Sequence, residues 1–145
     1  VKFKREAENT LLCNVLKNKN GFIVNISFYS SPRNDQGVAY AASDQMFSSM
    51  GYELKKHNVT VVSLYPGIVG TESVLTGKGF LDLANAESPE FLGRTVAALA
   101  KDESLHDKSG GILKTYQWAV EYGFTDIDGK VPSPCDIDSY LICHA

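Results

Sequence analysis

The chain has 145 residues, 43% of them apolar, with 14 Lys and Arg against 17 Asp and Glu, so it can build one ordinary core and has no electrostatic reason to bind nucleic acid. Cys13, Cys135 and Cys143 are an odd number without paired short spacing, which excludes a disulfide framework or a zinc site and suits a reducing, cytoplasmic compartment. The longest apolar runs, such as Val59 to Val69, fall short of the roughly 20 residues of a spanning helix, and the opening Val-Lys-Phe-Lys-Arg-Glu is no signal peptide.

In chain order, Ala7, Leu11, Leu12, Val15 and Leu16 recur at helical spacing and predict a helix over Lys4 to Leu16, stopped by a polar turn ending at Gly21. Phe22 to Ile26 is short, apolar and rich in β-branched residues, the pattern of a strand buried on both faces of a parallel sheet. Ser30 to Gly37, with Pro32, Asn34 and Asp35, predicts a loop. A second helix is expected from about Ala41 to His57, then a buried-type strand over Val59 to Tyr65, broken by Pro66-Gly67.

Ser88-Pro89-Glu90 reads as a helix start, with Ser88 as cap, Pro89 in the first turn and an apolar stripe of Phe91, Leu92, Thr95, Val96 and Leu99. Ser109-Gly110-Gly111 leads into a brief third strand at Ile112-Leu113, Thr115 to Tyr122 can form one or two helical turns, and residues 123–145 are mostly loop. Strands alternating with helices predict an α/β parallel sheet with flanking helices. Three strands make a small sheet with unpaired edges, so the sequence reads as part of a larger domain.

Several stretches then carry a family likeness. Gly21-Phe22-Ile23-Val24-Asn25-Ile26-Ser27, then Tyr40, then Ser63-Leu64-Tyr65-Pro66-Gly67-Ile68-Val69-Gly70-Thr71-Glu72 follow the order and spacing of the classical short-chain dehydrogenase/reductase family. The chain resembles the C-terminal half of that family over about Lys19 to Lys130. Ser88-Pro89-Glu90-Phe91 and Tyr122 to Lys130 resemble one of its subgroups. The resemblance implies a partial Rossmann-like sheet as a single unit over residues 1–145, whose N-terminal dinucleotide-binding half is absent. It also implies descent from an NAD- or NADP-dependent oxidoreductase acting on a small-molecule carbonyl or alcohol.

In that family a tyrosine serves as general acid or base, a lysine beyond it stabilises the phenolate, and an upstream serine orients the carbonyl. Tyr40 matches the tyrosine. Asp44 stands where the lysine belongs, and Ala41 to Met46 resemble the text that normally follows it, which implies a deletion of about four residues. That is roughly 6 Å of helix. A cation about 4 Å from a phenolate stabilises it by about 4 kcal/mol at an effective dielectric of 20, and an anion there has the opposite sign. Lys55 and Lys56 lie roughly 22 to 24 Å further along a continuous helix, too far to substitute.

Spacing back from Tyr40 selects Ser27 as the serine, whereas register counted from Gly21 selects Phe28; Ser30 is a third choice. Ser27 and Phe28 should point to opposite faces, so only one addresses the site. A strand-end serine bonded to backbone is an equally good reading of Ser27.

The resemblance assigns Pro66, Gly67, Val69 and Thr71 to the loop that meets the nicotinamide carboxamide. The Gly-rich turn that cradles the pyrophosphate has no counterpart here, and Gly77, Gly79, Gly110 and Gly111 read as turn residues. The family's active-site asparagine falls before residue 1, so Asn9 and Asn14 do not inherit its role. Asp126-Ile127-Asp128-Gly129 lacks the glutamate of a calcium loop, and His57, His106 and His144 have no metal-ligand spacing. These residues alone are thus expected to be inactive and to bind nucleotide weakly. The alternative is a non-catalytic protein that associates with an intact reductase, or with itself, through the helices at 4–16 and 41–57, which resemble the family's usual oligomer contact.

Overall fold

The computed structural model describes residues 20–28, 38–76 and 83–133. Three strands, β1 (Gly21–Ile26), β2 (Val59–Tyr65) and β3 (Ile112–Lys114), form one parallel sheet in that order. The helices are α1 (Val38–Lys55), α2 (Glu72–Thr76), α3 (Pro89–Leu99) and α4 (Thr115–Tyr122), with a 3₁₀ segment over Glu103–Lys108. The helix expected over Lys4 to Leu16 and the Ser30 to Gly37 loop lie outside the described residues.

β2 is the only described strand with neighbours on both sides, and all seven of its residues are buried. Its alternating side chains serve two layers. Val62 and Leu64 join Leu99, Leu105, Leu113 and Trp118 in a core that Phe22 and Val24 of β1 extend. On the other face, Ser63 and Tyr65 look toward α1 through Asn25 and Asp44. β1 departs from the expected two-sided burial: its residues are half-buried and Ile26 is 47% exposed, because no described strand covers its outer edge. The long helix begins three residues before the expected Ala41 and ends at Lys55, where the backbone turns through Asn58 at φ 57°.

α1 reaches the sheet through a close backbone approach. A Cβ on Gly51 would lie 2.3 Å from the Gly110 nitrogen, and Gly110 itself has φ +84°. Ser109 fastens this crossing, its hydroxyl donating to the Gly51 carbonyl and accepting from the Val61 amide, each at 3.1 Å. Gly110 donates to the Val61 carbonyl at 2.7 Å. Gly110 is therefore a packing and turn residue at the start of β3.

Ser88-Pro89-Glu90-Phe91 and Tyr122 to Lys130, the two stretches of subgroup likeness, form one unit. Ser88 caps α3 by accepting from the Phe91 amide at 3.0 Å, and its own hydroxyl and amide donate to the Asp126 carboxylate. Phe91 packs on Phe124 with ring centroids 5.5 Å apart, and Arg94 donates to the Thr125 carbonyl at 2.6 Å. Burial raises the Asp126 carboxyl, but the hydrogen bonds from Ser88 and Ile127 and the Arg94 charge outweigh it and leave the group below its ordinary range. Asp126 to Gly129 is a turn, and no cluster of metal-ligating side chains occurs among the described residues. Nor is any helix there long and apolar enough to cross a membrane.

Gly51→Ala should cost at least about 1–3 kcal/mol, since the methyl meets backbone that cannot rotate away, and urea unfolding will read it. Ser88→Ala should cost roughly 1–3 kcal/mol, removing both the cap and a donor to buried Asp126. The Asp126 contribution should be complete above its ordinary value of 3.8 and be lost as pH falls through its lower folded value, measured as a pH-dependent urea midpoint.

Candidate functional site

Parallel strands place all their carboxyl ends on one rim, and that rim is where open α/β sheets hold ligands. Here it carries Ser27 and Phe28 after β1, Tyr40 in the first turn of α1, Pro66 to Thr71 after β2, and Lys114 at the end of β3.

Tyr40 is half exposed, and its ring centroid lies 6.4 Å from that of Phe28. Ser27 is 5% exposed; its amide extends the ladder to the Leu64 carbonyl at 3.0 Å, and its hydroxyl is buried without a partner among the described residues. Of the two described candidates, Ser27 and Phe28, it is the Phe28 ring that lies beside Tyr40. Ser30, the further choice, lies outside the described residues.

Asp44 follows Tyr40 by one helical turn but is 4% exposed and faces the sheet. Its carboxylate accepts from Asn25 Nδ2 at 3.1 Å and from the Tyr65 hydroxyl at 2.5 Å. Asn25 Nδ2 also reaches Ser63 Oγ at 3.2 Å. These bonds hold the start of α1 over the ends of β1 and β2. A buried carboxylate needs such donors, because unpaired it would carry the full cost of desolvation. The helix runs unbroken to Lys55, so that lysine remains far from Tyr40.

The residues Pro66 to Thr71 form a loop fixed largely by one residue that the sequence did not single out. Val69 and Glu87 make an isolated parallel bridge, Gly70 donates to the Glu87 carbonyl at 2.8 Å, and the Glu87 amide donates to the Ile68 carbonyl at 2.8 Å. The Glu87 side chain adds two bonds at Oε1, from the Gly67 amide at 2.8 Å and from the Thr115 hydroxyl at 2.6 Å. Glu87 is 2% exposed, and burial pushes its carboxyl above the ordinary range despite those two donors. Thr71 is exposed and starts α2, its carbonyl accepting from Leu75 at 2.9 Å. Beside the loop lies a cavity of about 20 Å³ lined by Tyr65, Pro66, Gly67, Glu87, Lys114 and Tyr116 among others. Glu87 sits between a loop and a helix cap, where nothing in local sequence distinguishes a buried acid from a solvated one.

The rim thus combines a half-exposed phenol, an apolar ring against it and a half-buried loop braced by Glu87. The short chain dehydrogenase family model matches residues 6–77. Dehydrogenase/reductase SDR family member 1 of Mus musculus is 39% identical over 107 residues, covering 65% of this chain, and the Homo sapiens protein of that name is 37% identical over the same length. The match spans 34% of either relative, so the chain corresponds to about a third of their length. Among solved structures, a short chain dehydrogenase from Salmonella enterica superposes with a TM-score of 0.63 at 18% identity, covering 79% of this chain and 49% of that one. A short-chain dehydrogenase/reductase of unknown function from Caenorhabditis elegans, with cofactor, gives 0.58 at 23%, covering 79% and 51%. A 4-hydroxyisoleucine dehydrogenase complexed with NADH gives 0.56 at 23%, covering 74% and 50%.

Tyr65→Phe should destabilise the chain by about 1–3 kcal/mol in denaturant titration, by stripping a donor from buried Asp44. Asp44→Lys, which writes the family's residue into this position, should cost about 3 kcal/mol or more, since it breaks the same bonds and buries an unpaired cation.

Proposed function

Because the chain belongs to the short-chain dehydrogenase/reductase family, we propose that its rim is the nicotinamide- and substrate-facing side of an NAD(P)-dependent oxidoreductase acting on a carbonyl or alcohol. The observation that carries this reading is the Pro66–Thr71 loop, held at the carboxyl end of the central strand by Glu87 and set on the same rim as Tyr40. In this reading Pro66, Gly67, Val69 and Thr71 present backbone and hydroxyl to the nicotinamide end of the cofactor. The NADH complexed with the similar 4-hydroxyisoleucine dehydrogenase supports a nicotinamide cofactor for the fold.

Tyr40 would be the phenol inherited from the family's acid–base residue, and the same reading makes a polypeptide of these 145 residues incapable of hydride transfer. Three observations support the inactivity. Among the described residues Phe28 lies against Tyr40, Ser27 Oγ is buried, and Asp44 is committed to Asn25 and Tyr65 in the place where a cation should act. These 145 residues also contain no strand followed by a Gly-rich turn and helix start that could cradle a pyrophosphate. A reducing, cytoplasmic setting is part of the proposal, on the three cysteines without paired spacing.

A second reading is favoured by the surface of α1. Val38 and Tyr52 are each 86% exposed and Met46 52%, apolar side chains on the helix expected to join residues 4–16 in contacting another subunit. A non-catalytic chain docking on an intact reductase, or on itself, would cover them.

Titrating the purified 145-residue chain with NADH and with NADPH, followed by fluorescence and thermal shift, tests the first reading. The expected outcome is a folded chain by circular dichroism with no saturable binding tighter than about 100 μM, roughly 5.5 kcal/mol. Tighter binding would refute the incomplete cofactor site and call for turnover assays with carbonyl substrates. Stable co-purification with a longer reductase would select the second reading.

A further inference from the structure

Glu87 is more thoroughly built into this rim than packing requires. It is 2% exposed, and its two carboxyl oxygens have different fates. Oε1 accepts from Gly67 in the loop after β2 and from Thr115 at the start of α4, while Oε2 is buried without a hydrogen-bond partner among the described residues. Its main chain pairs with the same loop through Ile68 and Gly70. A buried oxygen with no partner is unusual, and it marks a place where strain or function has been accepted.

We propose that Glu87 is the positioning residue of the Pro66–Thr71 loop, holding the Gly67 amide so that the following backbone faces a nicotinamide, and that proton binding at Glu87 tunes this hold. The proposal rests on the loop's assignment to the nicotinamide in the reading above. With Oε1 occupied by two donors, a proton on the carboxyl resides on Oε2 and leaves the buried group neutral. When that proton leaves, the carboxylate accepts more strongly from Gly67 and Thr115 but leaves a charge in a poorly solvated place.

The groups that face Glu87 set the direction. Burial raises it, the Thr115 hydroxyl and Gly67 amide pull it back, and the nearby Asp126 carboxylate raises it further. Lys114, Tyr65 and Tyr116 line the same cavity. An acid whose folded value is raised contributes stability that is complete below its ordinary value of 4.5 and is lost as pH rises through the folded value. The contribution to overall stability should therefore be greater at mildly acid pH than at neutral pH, while the bonds that Oε1 accepts from Gly67 and Thr115 strengthen as the carboxyl ionises.

The test is an NMR titration of the Gly67 amide in the 145-residue chain, with amide exchange measured in parallel. In the wild type its shift should move with a midpoint above 4.5. Glu87→Gln, which keeps an acceptor for Gly67 and Thr115, should abolish that titration while preserving the amide's protection. Thr115→Val should shift the midpoint further upward and, should Glu87→Ala not fold, serves as the second probe. Glu87→Ala should speed Gly67 and Gly70 exchange about tenfold or more with Val61 to Leu64 unchanged, as expected for local opening. A Gly67 shift that ignores pH between 4 and 8, or that titrates equally in Glu87→Gln, overturns the proposal. NADH binding is scored separately: binding tighter than about 100 μM would refute the incomplete cofactor site and leave the role of Glu87 standing, whereas a flat Gly67 titration removes that role.

Discussion

The central strand β2 is the constraint on which the rest depends. Its seven residues are buried and it is paired on both edges, so its backbone groups must find partners in the sheet or, like the Val61 amide, on Ser109, and every side chain must fit a layer. Val62 and Leu64 draw the core of α3, α4 and the 3₁₀ segment to one face, while Ser63 and Tyr65 set the polar contacts that seat α1 on the other. The strand must stop where Pro66 removes a donor, and the loop that starts there stands on the rim of the sheet. Position on the rim follows from the packing of β2.

Three buried acids brace the structure, and each faces a different problem. Asp44 accepts from Asn25 and Tyr65, and Asp126 from Ser88 and Ile127, and these donors hold the Asp126 carboxyl below its ordinary range. Glu87 is half satisfied: two donors converge on one oxygen and leave the other without a partner. That asymmetry sets Glu87 apart from Asp44 and Asp126.

Family likeness in the chain divides by physical role. The stretches resembling a subgroup, Ser88 to Phe91 and Tyr122 to Lys130, meet in space as a clamp on the start of α3. Their likeness is explained by packing and capping. The stretches resembling the whole family converge on the rim instead, where the Pro66 to Thr71 loop, Phe28 and Tyr40 stand at the carboxyl ends of the strands.

By itself the sequence determined what local rules govern. Val59 to Tyr65 reads as a buried strand from its unbroken apolar run, Ser88-Pro89-Glu90 as a helix start from its capping chemistry, and Gly110 as a turn from its neighbours. Family order and spacing singled out Tyr40 and the Pro66 to Thr71 loop, and both stand on the same rim. Edge exposure was not legible in β1, whose apolar run is the same whether or not a neighbour covers it. The choice between Ser27 and Phe28 also needed three dimensions, since two ways of counting disagreed by one residue and only the end of the strand fixes which side chain turns toward Tyr40. Tertiary structure alone decided the roles of Asn25, Asp44, Glu87 and Asp126: whether an acid is solvated or buried, and which donors it meets, depends on contacts between segments far apart in the chain, of which local sequence carries no trace.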